Sequence, residues 1–210
     1  MARPSSRGFF QPTKSSPLRV SFRTRLFLVP RRSKGNGNYR YAGYPTPGLI
    51  GDLRAAIYPH LAPIANVWNE KMEFGERYPV THQEYLEICH RNGQTLSTSM
   101  LMEHGVGQQT LLHQDIYGDH IFPLQVAVVL SQRGMDYVGG EIVIMEQHPR
   151  MQTRPEVIVL NKGDGVVFAS SNRPVTGKRG TYRVNLRHGF SKVREGRQVA
   201  LSIIFHDGAA

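Results

Sequence analysis

Leu111-Leu112-His113-Gln114-Asp115-Ile116-Tyr117-Gly118 closes an apolar run with a histidine and an aspartate two residues apart. In an extended backbone successive side chains alternate between faces, so His113 and Asp115 point the same way and can grip one ion. A second histidine, remote in sequence but adjacent in space, would complete two imidazoles and one carboxylate. That donor set suits ferrous iron and leaves coordination positions for other ligands. The chain has nine histidines, so one His-x-Asp pair arises readily by chance and its meaning depends on the rest of the chain.

Downstream come Gly139-Gly140-Glu141-Ile142-Val143-Ile144, then Gly163-Asp164-Gly165-Val166-Val167-Phe168, then His188-Gly189-Phe190-Ser191-Lys192-Val193 with Gly196-Arg197, and last the apolar run Val199 to Phe205. This order and spacing resembles the Fe(II)/2-oxoglutarate dioxygenase superfamily from about Tyr39 to Asp207. Within it, Tyr39-Arg40-Tyr41, Leu61 to Asn69, His113 to His120, Phe122-Pro123-Leu124-Gln125 and Gly180 to Gly189 are similar to one bacterial-type group, oxygenases acting on damaged nucleic acid.

The resemblance implies an α+β fold, a double-stranded β-helix or jelly roll braced by N-terminal helices. It implies Fe(II) held by His113, Asp115 and His188, with 2-oxoglutarate and dioxygen as cosubstrates. The reaction implied is hydroxylation of a C–H bond, which on a methylated base amounts to oxidative demethylation, a DNA repair activity. Two other readings stay open: a hydroxylase of a protein side chain such as proline or of a small molecule, and a non-catalytic jelly roll that binds metal or nucleic acid through a degenerate site. His104, His120, His148 and His206 lack the context of the three expected ligands.

In the superfamily an Arg or Lys about ten residues after the distal histidine usually clamps the far carboxylate of 2-oxoglutarate. A planar guanidinium pairs with both carboxylate oxygens. Here that place falls on Gln198, with Arg197 one residue earlier and therefore on the opposite strand face. A bulge at Gly196 could turn Arg197 inward, Arg183 or Arg187 could substitute, or the anchor is lost; Arg197 is the expected clamp. His104 and Thr110 stand near positions where relatives carry other hydrogen-bonding residues, and with Gln198 complete the expected cosubstrate contacts.

At 210 residues the chain holds one domain with an added segment. Its single Cys89 excludes an internal disulfide framework, suits a reducing, cytoplasmic setting, and is expected to be buried and inert. No apolar run reaches the length needed to cross a bilayer. The net charge of +10 is carried by ten cations and no acid in residues 1–40; the remaining 16 Lys and Arg balance 16 Asp and Glu in residues 41–210. Residues 1–38 are expected to form a basic, disordered arm, and residues 39–210 the dioxygenase domain. Tracking of phosphate backbone, organellar targeting, an upstream start codon and a plain solvated tail are all compatible with that arm. Arg173, Lys178, Arg179 and Arg183 form a second basic cluster that suits either phosphate or solvent.

Thr46 and Pro47 predict a helix start, with Leu49, Ile50, Leu53 and Ile57 at helical spacing and Pro59 as its end. A second helix is expected from Pro63 with Trp68 in the core, and a third over residues 82–91, with His82 and His90 at the surface. After Gly93 short strands are expected at residues 98–102, 124–130, 141–145, 157–160, 166–169, 182–186 and 199–205. Oligomeric state is not legible.

Overall fold

The computed structural model describes residues 28–30, 35–178 and 180–209. The expected basic arm lies mostly outside them, as does Arg179, but its C-terminal part does not. Strand β1 (Leu28–Pro30) pairs antiparallel with β2 (Asn38–Ala42), and Gly35 bridges Thr110.

The helical layer consists of two helices. α1 (Gly48–Lys71) runs unbroken through Pro59 and Pro63, where the sequence predicts two separate helices. Each proline removes one N–H, and the carbonyls so released, of Ala55 and Pro59, belong to exposed residues on the solvent side. The opposite face buries Ile50, Arg54, Tyr58, Leu61, Ala62 and Ala65, so packing outweighs propensity. Pro47, not Thr46, occupies the N-cap, without a side-chain hydrogen bond. α2 (His82–Arg91) begins at a capping box in which Thr81 and Glu84 bond each other's backbone N–H groups. His82 is not a surface residue: it is 6% exposed and its Nε2 lies 2.9 Å from the Phe205 carbonyl. Trp68 is half-buried, packed against both cores, and Cys89 is fully buried, its thiol pKa raised by burial.

The remaining strands are β3 (Met100–His104), β4 (Thr110–His113), β5 (Leu124–Val129), β6 (Tyr137–Gly139), β7 (Ile142–Gln147), β8 (Arg154–Ile158), β9 (Gly165–Ala169), β10 (Asn172–Gly177), β11 (Gly180–Phe190), β12 (Val193–Gly196) and β13 (Gln198–Ile204). The larger sheet has the order β1-β2-β3-β13-β5-β9; the smaller is β10-β11-β7-β8, with β4 also paired to β11. Numbered along the chain, β3, β4, β5, β7, β8, β9, β11 and β13 give 1-8-3-6 in one sheet and 2-7-4-5 in the other. That alternation between two antiparallel sheets is a jelly roll, the double-stranded β-helix expected.

β13 shows why its sequence is a continuous apolar run. Ala200 and Ile204 face the core between the sheets, while Leu201 and Ile203, with Phe205 just beyond, face the helices. A strand covered on both sides loses the polar alternation of a half-exposed one. Three connections hold the helical layer to this strand's end. Arg54 lies 2.8 Å from Asp207 Oδ1, His90 lies 2.7 Å from Oδ2, and Tyr44 donates its hydroxyl to the same carboxylate. Burial would raise the Asp207 pKa, but Arg54 and these donors outweigh it and hold it below 3.8.

Candidate metal centre

β4 and β11 bring the two expected histidines together, since His113 and His188 are register partners in the smaller sheet. Their ring centroids are 4.4 Å apart. Gly189 lets the strands come this close: a Cβ there would stand 2.4 Å from the Thr110 carbonyl oxygen. Asp115, two residues past His113, is 1% exposed and lies between the rings. Its Oδ1 is 3.4 Å from His113 Nε2 and its Oδ2 is 3.0 Å from His188 Nε2. One donor atom from each of the three residues lies within 4.8 Å of the others.

The surroundings orient these donors. His113 Nδ1 lies 2.7 Å from the Leu111 carbonyl, which makes Nδ1 the protonated nitrogen and leaves the Nε2 lone pair to face Asp115. Tyr117 donates its hydroxyl to Asp115 Oδ1 at 2.9 Å, and the Tyr41 hydroxyl lies 3.3 Å from that of Tyr117. Burial, and next the Asp115 charge, push the Tyr117 pKa far up, so it stays a donor. Gln114 turns the other way and bonds the Leu186 carbonyl at 2.7 Å, pinning the segment to β11. Gln125 and Phe168 pack on the His188 ring, the amide nitrogen 3.1 Å from Nε2 and the ring centroids 4.7 Å apart. Two imidazoles and a buried carboxylate, with the tautomer preset on one side, fit ferrous iron.

Tyr117, Tyr41 and Gln125 carry no role legible from sequence, although Tyr117 stands inside the stretch that holds two of the ligands. Its signal is spacing: two residues past Asp115, on the same side.

The expected cosubstrate contacts divide. Arg197 is not turned inward. Gly196 does adopt a φ of +70°, but the Arg197 side chain is 64% exposed and lies 2.6 Å from Glu103 on the outside of the sheet. Arg183 and Arg187 are also exposed. Strand alternation prevails, and Gln198 takes the inward place, fully buried, donating to the Gly140 carbonyl at 2.6 Å. His104 and Thr110 do face the interior. With Tyr39, to which the sequence alone assigns no contact, they form a triangle: Tyr39 Oη to Thr110 Oγ1 2.7 Å, Tyr39 Oη to His104 Nε2 3.2 Å, and Thr110 Oγ1 to His104 Nε2 2.9 Å.

Within this interior, His104 Nδ1 and the Gln198 and Gln125 carbonyl oxygens are buried without a hydrogen-bond partner. Such orphaned atoms mark a place built to receive a polar ligand. Yet Arg54 is the one buried Arg or Lys among the described residues, and it is committed to Asp207 and the Phe205 carbonyl. A guanidinium or ammonium clamp for a distal carboxylate therefore does not fit what these residues present.

Beside the Asp115 segment lies a cavity of about 480 Å³ whose walls include Met72, Phe74, Glu76, Ile116, Asp119 and Asn172. His120 Nδ1 pairs with Glu76 at 3.2 Å at its edge. The second basic cluster is partly neutralised, because Arg173 forms a bidentate pair with Glu146.

A family described as "Oxygenase, catalysing oxidative methylation of damaged DNA" matches residues 37–208. The chain belongs to this oxygenase family. Two uncharacterized proteins of Mycobacterium tuberculosis, from strains CDC 1551 / Oshkosh and ATCC 25618 / H37Rv, are each 41% identical to the oxygenase over 165 residues, 79% of this chain and 71% of theirs. Among solved structures, a Pseudomonas putida prolyl-4-hydroxylase is 12% identical, with a TM-score of 0.46, over 86% of this chain and 78% of that one. A 2OG-Fe(II) oxygenase family oxidoreductase from Burkholderia pseudomallei is 19% identical, with a TM-score of 0.38, over 53% of this chain and 43% of that one. No helix among the described residues is long and apolar enough to cross a membrane.

Proposed function

We propose that this oxygenase uses Fe(II), dioxygen and a 2-oxo acid to hydroxylate a C–H bond, with His113, Asp115 and His188 as the metal ligands. The observation that carries the reading is the convergence of those donors within 4.8 Å, inside a jelly roll of the oxygenase family. Bound iron would supply the activation of dioxygen, chemistry that no side chain in the site provides. The chain's own residues do the rest. His113 is held in one tautomer by Leu111, Tyr117 keeps Asp115 oriented, and the Gln125 and Phe168 side chains fix the plane of His188. The cavity beside Ile116 is where the substrate would be positioned.

For the substrate, the family description supports a methylated base in damaged DNA, whose hydroxylated methyl group would leave as formaldehyde and restore the base. A second reading, a small-molecule or side-chain hydroxylase, is favoured by that cavity. Its walls carry Glu76 and Asp119, and residues 41–210 are formally neutral, neither of which attracts a polyanion.

The test is anaerobic Fe(II) titration and then exposure to air with 2-oxoglutarate and methylated single-stranded DNA. One equivalent of iron should bind, and His188→Ala should weaken it at least about a hundredfold. Formaldehyde release that falls steeply with salt would support the nucleic-acid substrate. Iron binding without formaldehyde would move the assignment to the second reading. Failure to bind iron would sink the oxygenase mechanism for this chain.

A further inference from the structure

We propose that the 2-oxo acid site holds the far end of its ligand with neutral hydrogen-bonding groups, Tyr39, His104, Thr110 and Gln198, with no cation among the described residues, and therefore accepts 2-oxo acids with an uncharged polar far end about as well as 2-oxoglutarate. The inference rests on the proposed iron and 2-oxo acid chemistry and specifies the cosubstrate class of that site.

The placement comes from four strands meeting in the jelly-roll interior. His104 on β3 and Gln198 on β13 are register partners, Thr110 opens β4, and Tyr39 reaches across from β2. Phe190 connects them to the metal ligands. It pairs in register with Thr110, its ring lies 5.8 Å from that of His104, and it stands two residues past His188 on the same buried strand. Two residues along a strand span about 6–7 Å, the scale of a five-carbon acid reaching from the metal into the barrel.

The chemistry of the four groups is consistent. The Gln198 amide lies flat on the Gly140 backbone, where an added Cβ would stand 2.7 Å from its Oε1. Its amide nitrogen is used by the Gly140 carbonyl, while Oε1 is buried without a partner. His104 is fully buried; its Nε2 edge is taken by Tyr39 and Thr110 and its Nδ1 is left without a partner. Burial lowers its pKa to about 4, so at neutral pH it brings no positive charge. Burial likewise raises the Tyr39 pKa and keeps that hydroxyl protonated. The set offers donors and acceptors together, which suits a hydroxyl, amide, ester or carbonyl terminus. A carboxylate placed there loses its hydration with no counter-charge among the described residues.

The experiment uses the full chain loaded anaerobically with Fe(II). 2-Oxoglutarate, its 5-methyl ester and 2-oxopentanoate are titrated in turn, and the visible metal-to-ligand charge-transfer band is read as a binding signal. The ester should bind within about tenfold of 2-oxoglutarate, whereas a charged clamp would separate the two by roughly a hundredfold or more; 2-oxopentanoate, whose methyl end leaves the polar groups unpaired, should bind more weakly than the ester. Gln198→Lys should tighten 2-oxoglutarate at least about tenfold and leave the ester unimproved. Arg197→Ala should alter none of the three constants, since that side chain is paired with Glu103 on the outer surface. A wild-type preference for 2-oxoglutarate over its ester of a hundredfold or more would overturn the proposal and leave the iron and 2-oxo acid reading intact. Iron binding with no band for any of the three acids would overturn both.

Discussion

Tyr117 and Asp115 show how one hydroxyl orients a candidate metal ligand. The carboxylate is buried between two imidazoles, and the hydroxyl at 2.9 Å constrains the oxygen that faces His113. Tyr117→Phe keeps the ring and removes that bond, so Fe(II) affinity should fall about tenfold while urea stability changes little, as read by anaerobic metal titration. An unchanged affinity would mean that Asp115 is oriented by its backbone alone. At this scale the candidate pair His113 and Asp115 is legible in the sequence, as two donor types at a two-residue spacing, while His188 is reached through the family resemblance. Arg197 departs from its expected place for a physical reason. Facing depends on whether a strand bulges, and although Gly196 adopts a positive φ, the side chain still points outward to Glu103. Gln198, the residue on the alternating pattern, is the one inside.

At the scale of elements, β4 and β11 bring the two candidate histidine ligands together, and their close approach depends on Gly189. Gly189→Ala would push a methyl group onto the Thr110 carbonyl and part the strands that hold His113 and His188. Iron binding should be lost and stability should fall by more than about 2 kcal/mol, measured by metal titration and urea unfolding. Retention of both would show that the strands can separate without disturbing the ligands. Strand positions are largely visible in the apolar runs between Gly and Pro, though β1, β2, β4, β6, β10 and β12 are not. These are short strands or strands of mixed polarity, and several pair at sheet margins where burial imposes little pattern. The helices depart in the other direction. Pro59 and Pro63 read as breaks, but α1 continues because its inner face is covered by the larger sheet while the prolines point to solvent.

Across the whole molecule, two buried histidines couple stability to pH. Burial, reinforced by Arg54, lowers the His82 pKa from 6.5 to about 4, and burial does the same at His104. Between those values the unfolded chain binds more protons than the folded one, so stability is complete above about pH 6.5 and drains away as pH falls toward 4. The loss should be on the order of 1–3 kcal/mol per histidine, seen as a falling urea midpoint between pH 7.5 and 4.5. His82→Gln should flatten part of that slope; a midpoint independent of pH would refute the linkage. Asp207, held below its usual range by Arg54, adds stability at neutral pH that is lost only as pH falls below about 4.

The sequence by itself determined the His113 and Asp115 pair, the oxygenase resemblance that points to His188, and the β-rich core, because donor spacing and apolar patterning are written residue by residue. Only the tertiary structure decided which groups line the interior. Tyr39, His104, Thr110 and Gln198 come from four strands scattered from β2 to β13, and their meeting results from sheet order and register, not from any local pattern. The outward turn of Arg197 and the burial of His82 were decided in the same way, by which neighbour each side chain met once the sheets had closed.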